Sequence, residues 1–273
     1  MNHACLNRSA IQLKAESLAA QVTQGTVRAI ARVISLIESQ DPVGLAVLGK
    51  LTPSLTETLV VGITGYPGTG KSTLIDQLIT AYRRLGHKVG MLAVDISSPV
   101  TGGAVLGDRI RMQQHADDAM VFIRSMATRG HQGGLARATQ DALRVLEAAA
   151  YDVILIETVG VGQNELEIVQ VAPLVIAVVA PGLGDEIQAM KAGLLEVADL
   201  VVMNKGDHDG ADHTMRDLQE HCRMVLRTVA HKGDGILELI AVIAECRRLH
   251  DLNSPRQGGP AGQRMHRGTV GAN

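Results

Sequence analysis

Aromatic side chains are scarce in this 273-residue chain, which has no Trp, one Phe and three Tyr. A core built from it must be aliphatic, and almost no rings are left for the base-stacking platforms of single-stranded nucleic-acid binders. Charge of one sign is missing too: a formal net charge of −2 offers no basic field for a phosphate backbone, so nucleic acid is not an expected partner. Cys5, Cys222 and Cys246 are odd in number, widely spaced and without a CxxC pair, which argues against a disulfide framework or a tetrahedral zinc site and for a reducing compartment. The longest apolar stretch, Val171 to Leu183, is broken by Pro173, Pro181 and Gly182, too short to span a bilayer. Met1 to Ser9 is polar and lacks the apolar region of a signal peptide. The expectation is a soluble cytoplasmic protein with no membrane segment. What the chain does have is 46% hydrophobic residues, enough for a core and incompatible with disorder throughout.

Residues 9–38 read as one helix, with Ser9 and Gln12 at capping-box spacing and Val27, Ile30, Val33, Ile34 and Ile37 recurring at helical period. Asp41-Pro42 and Gly44 punctuate, a short helix is expected from Val43 to Leu51, and Pro53 ends it. From Leu59 the character changes. Strand-like runs are Leu59–Thr64, Val89–Asp95, Met120–Ile123, Val153–Glu157, Val175–Val179 and Leu200–Asn204. Helical periodicity covers the stretch after Lys71 to Leu85, then Gly134–Ala150, Asp185–Glu196, Met215–Leu226 and Ile236–Leu249. Continuous apolar strands alternating with helices predict an α/β fold, a mostly parallel sheet with helices on both faces. The expected organisation is an N-terminal helical extension (1–57), a nucleotide-binding domain (58–250) and a Gly-, Pro- and Arg-rich disordered tail (251–273).

Gly65-Tyr66-Pro67-Gly68-Thr69-Gly70-Lys71-Ser72, followed by Thr73, has the spacing of a phosphate loop, and it lies between a predicted strand and a predicted helix, the context that gives the pattern its meaning. Small residues let successive backbone N–H groups turn in around a phosphate, and the helix N-terminus adds partial positive charge. Lys71 would reach the β- and γ-phosphates, and the Ser72 hydroxyl would ligate Mg²⁺. A P-loop NTPase is therefore predicted.

Asn204-Lys205-Gly206-Asp207 ends a predicted strand, where open α/β sheets place ligand contacts. A carboxylate at Asp207 can accept from both N1–H and the exocyclic amine of guanine. Adenine offers neither donor, so GTP/GDP is expected over ATP. Lys205 can lay its methylenes along the base, and Asn204 can brace the loop and reach N7. Thr228-Val229-Ala230 stands where the last base-contacting loop would be, or is an ordinary strand end. Glu157 closes a hydrophobic strand three residues before Gly160, suiting a Mg²⁺-bound water and a γ-phosphate contact. Asp95 and Asp108 are further carboxylates that could face the metal, Asp108 reading equally well as a helix N-cap. Lys71, Asp108 and Glu157 form the candidate catalytic set; Arg109, Arg111, Arg124 and Arg129 are each weaker candidates for a charge stabiliser in cis.

Together these stretches resemble the methylmalonyl-CoA mutase-associated GTPases of the MeaB/ArgK type. The likeness lies in Gly65–Thr73, Asp95–Pro99, Gly102–Arg109, Glu157–Gln163, Pro181–Gln188 with Lys191, and Asn204–Asp207, and it extends over roughly residues 26–240. It implies a P-loop GTPase that escorts an adenosylcobalamin-dependent acyl-CoA mutase, gating cofactor delivery and protecting or reactivating it. It also implies that Asp185–Lys191 is a mobile switch reporting the GTP state to the mutase, and that a homodimer forms through a helical arm after the last GTPase helix. Here a Gly/Pro-rich tail follows Leu249, and Ile96 and Gly206 stand where the family usually has Pro and Ala. Two other readings stay open: a nickel-insertion GTPase, which His208-Asp209 and Asp212-His213 permit, and a small-molecule kinase with Asp95 or Asp108 as base.

Overall fold

The computed structural model describes residues 3–52, 58–95, 113–115, 117–127, 134–158, 164–182 and 193–253. Strands β1 (Leu59–Thr64), β2 (Val89–Asp95), β3 (Val121–Ala127), β4 (Val153–Thr158), β5 (Leu174–Val179), β6 (Leu200–Met203) and β7 (Val225–Arg227) form one sheet in the order β3-β2-β4-β1-β5-β6-β7, every pair parallel. Because all strands point one way, their C-terminal ends share one edge, and β1 sits in the middle of it.

The strands are apolar on both faces because both faces are covered. Val61, Ile63, Met91, Leu155, Ile176 and Val202 pack under helices α4 (Lys71–Arg84) and α9 (Ile236–Asn253). Their sequence neighbours Val60, Leu92, Ile154, Ile156 and Val175 face the other way, toward α5 (Gly134–Ala148) and α6 (Asn164–Val171). On that same side Ala177, Val179, Val201 and Met203 meet α7 (Leu194–Val197) and α8 (Ala211–His221). This period-two partition of one hydrophobic run into two cores is the signature of a doubly covered sheet.

The N-terminal stretch forms three helices: α1 (His3–Thr23), α2 (Val27–Glu38) and α3 (Pro42–Leu48). The single helix expected over residues 9–38 is broken at Gly25, whose φ of +76° is cheap for glycine and closes α1 before Thr26 opens α2. Ser9 lies inside α1 and is therefore no cap. Asp41 caps α3, its carboxylate accepting from Val43 N at 2.8 Å with Pro42 at the first helical position. Ala15, Val22, Ile30, Val33, Ile34 and Val47 from these helices share one apolar cluster with Leu146, Ile154 and Val175 of the sheet side. Polar ties add to it, with Arg144 donating to Leu48 O at 3.1 Å.

Two further expectations are corrected. The helix predicted for Met215–Leu226 ends at His221, Cys222 turns extended, and Val225–Arg227 becomes a seventh, edge strand. Met215, Leu218 and Cys222 keep helical spacing with Leu226, so the periodicity continues past the real stop. The last helix runs on to Asn253, past the expected end at Leu249. Of the helix expected over Asp185–Glu196, only Leu194–Val197 falls within a described helix, and residues 183–192 lie outside the described residues. Among the described residues no helix is long and apolar enough to cross a membrane.

Candidate functional site

The C-terminal edge of the sheet gathers the polar residues that the strands themselves lack. The chain leaves β1 at Gly65 and re-enters helix at Lys71, so the N-terminus of α4 points at the intervening loop. Within the loop, the Thr69 hydroxyl donates to Tyr66 O at 2.9 Å, and the buried Lys71 ammonium donates to Gly65 O at 2.6 Å and Tyr66 O at 3.0 Å. The lysine charge is thus stored inside the turn. The Tyr66 ring packs against the β5–β6–α8 cluster, leaving Pro67 and Gly68 exposed at the loop tip. Gly70 has φ +91°, and a Cβ there would strike the Asn204 amide, so no other residue fits without moving that brace.

One turn into this geometry, Ser72 meets Glu157. Register pairing sets Ile63 beside Glu157 in adjacent β1 and β4, and the Ser72 hydroxyl donates to Glu157 Oε1 at 3.0 Å. A hydroxyl and a carboxylate side by side are the hard oxygen donors Mg²⁺ takes, singly or through water. Glu157 is 2% exposed, and the neighbouring strand-end hydroxyls of Thr64 and Thr158, also buried, have no hydrogen-bond partner among the described residues. By the alternation of the strands those two hydroxyls face the α5–α6 side, opposite Ser72 and Glu157, so the fit rests on the buried hydroxyl–carboxylate pair itself. The residues present fit the ion.

On the other side of β1, Asn204 joins three segments. Its Nδ2 donates to Thr69 O at 2.9 Å, and its Oδ1 accepts from Thr228 Oγ1 at 3.1 Å and from Ala230 N at 3.0 Å. The side chain is buried and both ends of its amide brace the loops, one of the two Nδ2 donors going to Thr69 O. Thr228, Val229 and Ala230 are buried as well, Thr228 N donating to Met203 O at 2.9 Å and Thr228 O accepting from Gly206 N at 3.0 Å. Lys205 adopts φ +57°, a left-handed strain a non-glycine residue accepts only where its surroundings impose it. Asp207 is exposed at the end of this loop, 2.8 Å from Lys232 Nζ and 3.7 Å from His231 Nε2. The Lys232 ammonium holds its carboxyl below the usual carboxylate range.

Of the remaining sequence candidates, Asp95 ends β2 at the same edge. Asp108, Gly160, Arg109, Arg111 and Arg129, with the 185–191 segment, lie outside the described residues. Arg124 is not available to a phosphate: it reaches back to α2, donating to Ala31 O at 3.3 Å, to Ser35 Oγ at 3.0 Å and to Glu38. Nor do residues 208–213 form a candidate group of metal ligands, and Asp212 pairs with Arg227 Nη1 at 2.6 Å. The one group of candidate ligands among the described residues, Asp217, Glu220 and His221, is a partly to fully exposed patch at the end of α8.

Sequence reasoning missed three residues. Arg227 donates to Gly206 O, and a Cβ at Gly206 would come within 2.6 Å of its Cγ and Nε. The glycine at position 206 was the available signal. Lys232 reaches Asp207 from a turn that carries no motif. His115, buried at the end of residues 113–115, lies 3.0 Å from Asp76 of α4 and ties that segment to the phosphate-loop helix.

A parallel sheet with a strand–phosphate loop–helix at its centre and a hydroxyl–carboxylate pair beneath defines a P-loop nucleotide-binding protein. The chain belongs to the methylmalonyl Co-A mutase-associated GTPase family, MeaB, whose model matches residues 30–266. A relative from Pyrococcus abyssi is 48% identical over 245 residues, covering 85% of this chain and 76% of its own. GTPase ArgK of Escherichia coli is 41% identical over 205 residues, 74% of this chain and 61% of that one. The mouse methylmalonic aciduria type A homolog, mitochondrial, is 39% identical over 196 residues, 67% of this chain and 47% of that one. Among solved structures, an LAO/AO transport system kinase superposes with TM-score 0.69 at 28% identity over 92% of this chain and 78% of that one. Nickel-bound HypB of Helicobacter pylori shares the fold alone, at TM-score 0.52 and 15% identity over 71% of this chain and 89% of that one.

Proposed function

We propose that the protein is a GTP-hydrolysing switch that assists an adenosylcobalamin-dependent acyl-CoA mutase, in loading, protecting or reactivating its cofactor. The observation that carries the hydrolytic part is the 3.0 Å contact between Ser72 Oγ and Glu157 Oε1 beneath the phosphate loop. Gly65 to Thr73 cradles the phosphates with backbone N–H groups, and Lys71 turns from its loop carbonyls to the β- and γ-phosphates. When bound, Mg²⁺ would supply charge neutralisation to the phosphates. Ser72 and Glu157 would hold it, with Asp95 at the end of β2 and Asp108 assigned as further carboxylates on its waters. Asp207 and the Lys205 stem receive the guanine, with Thr228, Val229 and Ala230 closing the base side and Asn204 holding the two halves together. No described residue is placed as a base for the attacking water, which fits slow turnover until a partner completes the site.

The mutase part rests on membership of a family described as mutase-associated. It suits a protein working in the cytoplasm through transient, GTP-dependent contacts, either as a monomer or as a homodimer. The experiment is to purify the protein and an adenosylcobalamin-dependent acyl-CoA mutase, measure GTP turnover alone and together, and measure their association with GDP and with a non-hydrolysable GTP analogue. Stimulated turnover with nucleotide-dependent association is expected. Neither binding nor stimulation would remove the mutase from the proposal and leave only the nucleotide site.

A further inference from the structure

The turn after β7 delivers two nitrogen-bearing side chains to the base side of the site. Lys232 Nζ and His231 Nε2 both approach Oδ2 of Asp207, at 2.8 and 3.7 Å. Lys232 is the last residue of a 3₁₀ turn, Ala230–Lys232, whose entry is pinned by Asn204 Oδ1 on Ala230 N and whose exit is Gly233 at φ +79°. The ammonium therefore springs from a fixed point. The loop it reaches is fixed as well, through Gly206 N on Thr228 O and Arg227 on Gly206 O. What such a backbone leaves free is rotation of the Asp207 side chain. An exposed ion pair adds little to stability, so the pair matters here for orientation.

We propose that Lys232 is a specificity-determining positioning residue, which holds the Asp207 carboxylate in the orientation that accepts both guanine donors. This rests on Asp207 being the guanine acceptor. Geometry is the support: a bidentate acceptor discriminates only when both oxygens are aimed, and a side chain that must be ordered on binding forfeits part of the gain. Charge state is not what Lys232 supplies, since an exposed carboxyl is ionised and acceptor-only at neutral pH with or without it, so the role is one of orientation. A rival role predicts the opposite sign. If Lys232 instead competes with the base for Oδ2, removing it strengthens guanine binding.

The test uses the full chain with Mg²⁺ and measures the affinities of GDP, IDP and ADP by displacement of a fluorescent GDP analogue. IDP lacks the 2-amine, so the GDP-to-IDP ratio reads the second hydrogen bond. Lys232→Met should weaken GDP about tenfold and IDP by less, narrowing that ratio, while Lys232→Arg restores most of it. In an Asp207→Ala background Lys232→Met should change nothing, because Lys232 acts only through Asp207. The side chain is 52% exposed, so unfolding midpoints should be unmoved. Unchanged or tighter GDP binding in Lys232→Met, or an equal effect with and without Asp207, overturns the proposal while leaving guanine recognition intact. A wild-type protein that binds GDP no better than ADP overturns both.

Discussion

Replacing Asn204 by alanine tests whether one buried amide holds the phosphate and base halves of the site together. The side chain makes three hydrogen bonds, to Thr69 O, Thr228 Oγ1 and Ala230 N, at 2.9, 3.1 and 3.0 Å, and it is 2% exposed. Each such bond contributes about 1 kcal/mol net, and each buried group left unmet costs about 1–3 kcal/mol. Thr69, Thr228 and Ala230 are themselves buried, so water cannot fully replace the amide. The expected loss is about 3 kcal/mol or more, roughly two decades in the folding constant. Urea unfolding should show a lower midpoint at unchanged slope. GDP affinity should fall as well, since the strained Lys205–Asp207 loop loses its tie to the phosphate loop. Thr228→Val removes one bond of the three and should cost about 1 kcal/mol, and much less once Asn204 is alanine, because the two share a bond. A loss under about 1 kcal/mol for Asn204→Ala, or full additivity with Thr228→Val, would refute the brace.

Lys71→Ala should lower GTP turnover by about a hundredfold or more while circular dichroism keeps its wild-type form; unchanged turnover would undo the phosphate-loop assignment. Asp207→Asn replaces an acceptor pair by one donor and one acceptor, so nucleotide displacement should show preference moving from GDP toward XDP. Gly206→Ala places a methyl within 2.6 Å of Arg227 and should weaken GDP binding several-fold, an effect that should shrink in Arg227→Ala, which removes the three atoms the methyl meets first. Tyr151→Phe removes a fully buried hydroxyl that has no hydrogen-bond partner among the described residues, and should stabilise the protein by about 1 kcal/mol. Burial pushes the Tyr151 phenol up to about 12. Its folded pKa exceeds its unfolded one, so the wild type loses stability from about pH 10 upward by up to about 1.4 kcal/mol per pH unit, and urea unfolding at pH 9 and 11 should show that slope reduced in the phenylalanine variant.

Six of the seven strands were legible because each is an apolar run bounded by a loop signal. β7 was not, since three residues carry no period and α8 lends them its own. Gly25 hid the break between α1 and α2 because an isolated glycine inside a helical pattern reads equally well as a tolerated interior residue. In the site, the phosphate loop and the bracing of Asn204 follow from spacing and strand-end position. Arg124, Arg227 and Lys232 do not, because an arginine or lysine advertises charge without direction. What settled Arg124 was Glu38 on a helix some 86 residues away in sequence, and what placed Arg227 was the missing side chain of Gly206.

Three of the four Tyr and Phe rings sit away from the phosphate loop. Tyr82 ends α4 against His87, with ring centroids 5.9 Å apart, and Phe122 meets Tyr151 edge-on at 6.2 Å, with Lys88 Nζ 4.2 Å over the Tyr151 ring. His87, Lys88, Phe122 and Tyr151 precede or open β2, β3 and β4, so this cluster buttresses the N-terminal edge of the sheet. Among the described residues the opposite edge is assembled from Gly, Ser, Thr, Asn, Asp, Glu and Lys, and the one Tyr or Phe there, Tyr66, has its ring turned into an apolar cluster. The two edges lie at opposite ends of strands buried on both faces, and the ring cluster shares no side chain with the site, so substitutions at the two ends act independently. Substitutions in the ring cluster should therefore move the unfolding midpoint and leave GDP affinity alone. Asn204, at the other end of the same strands, should move both.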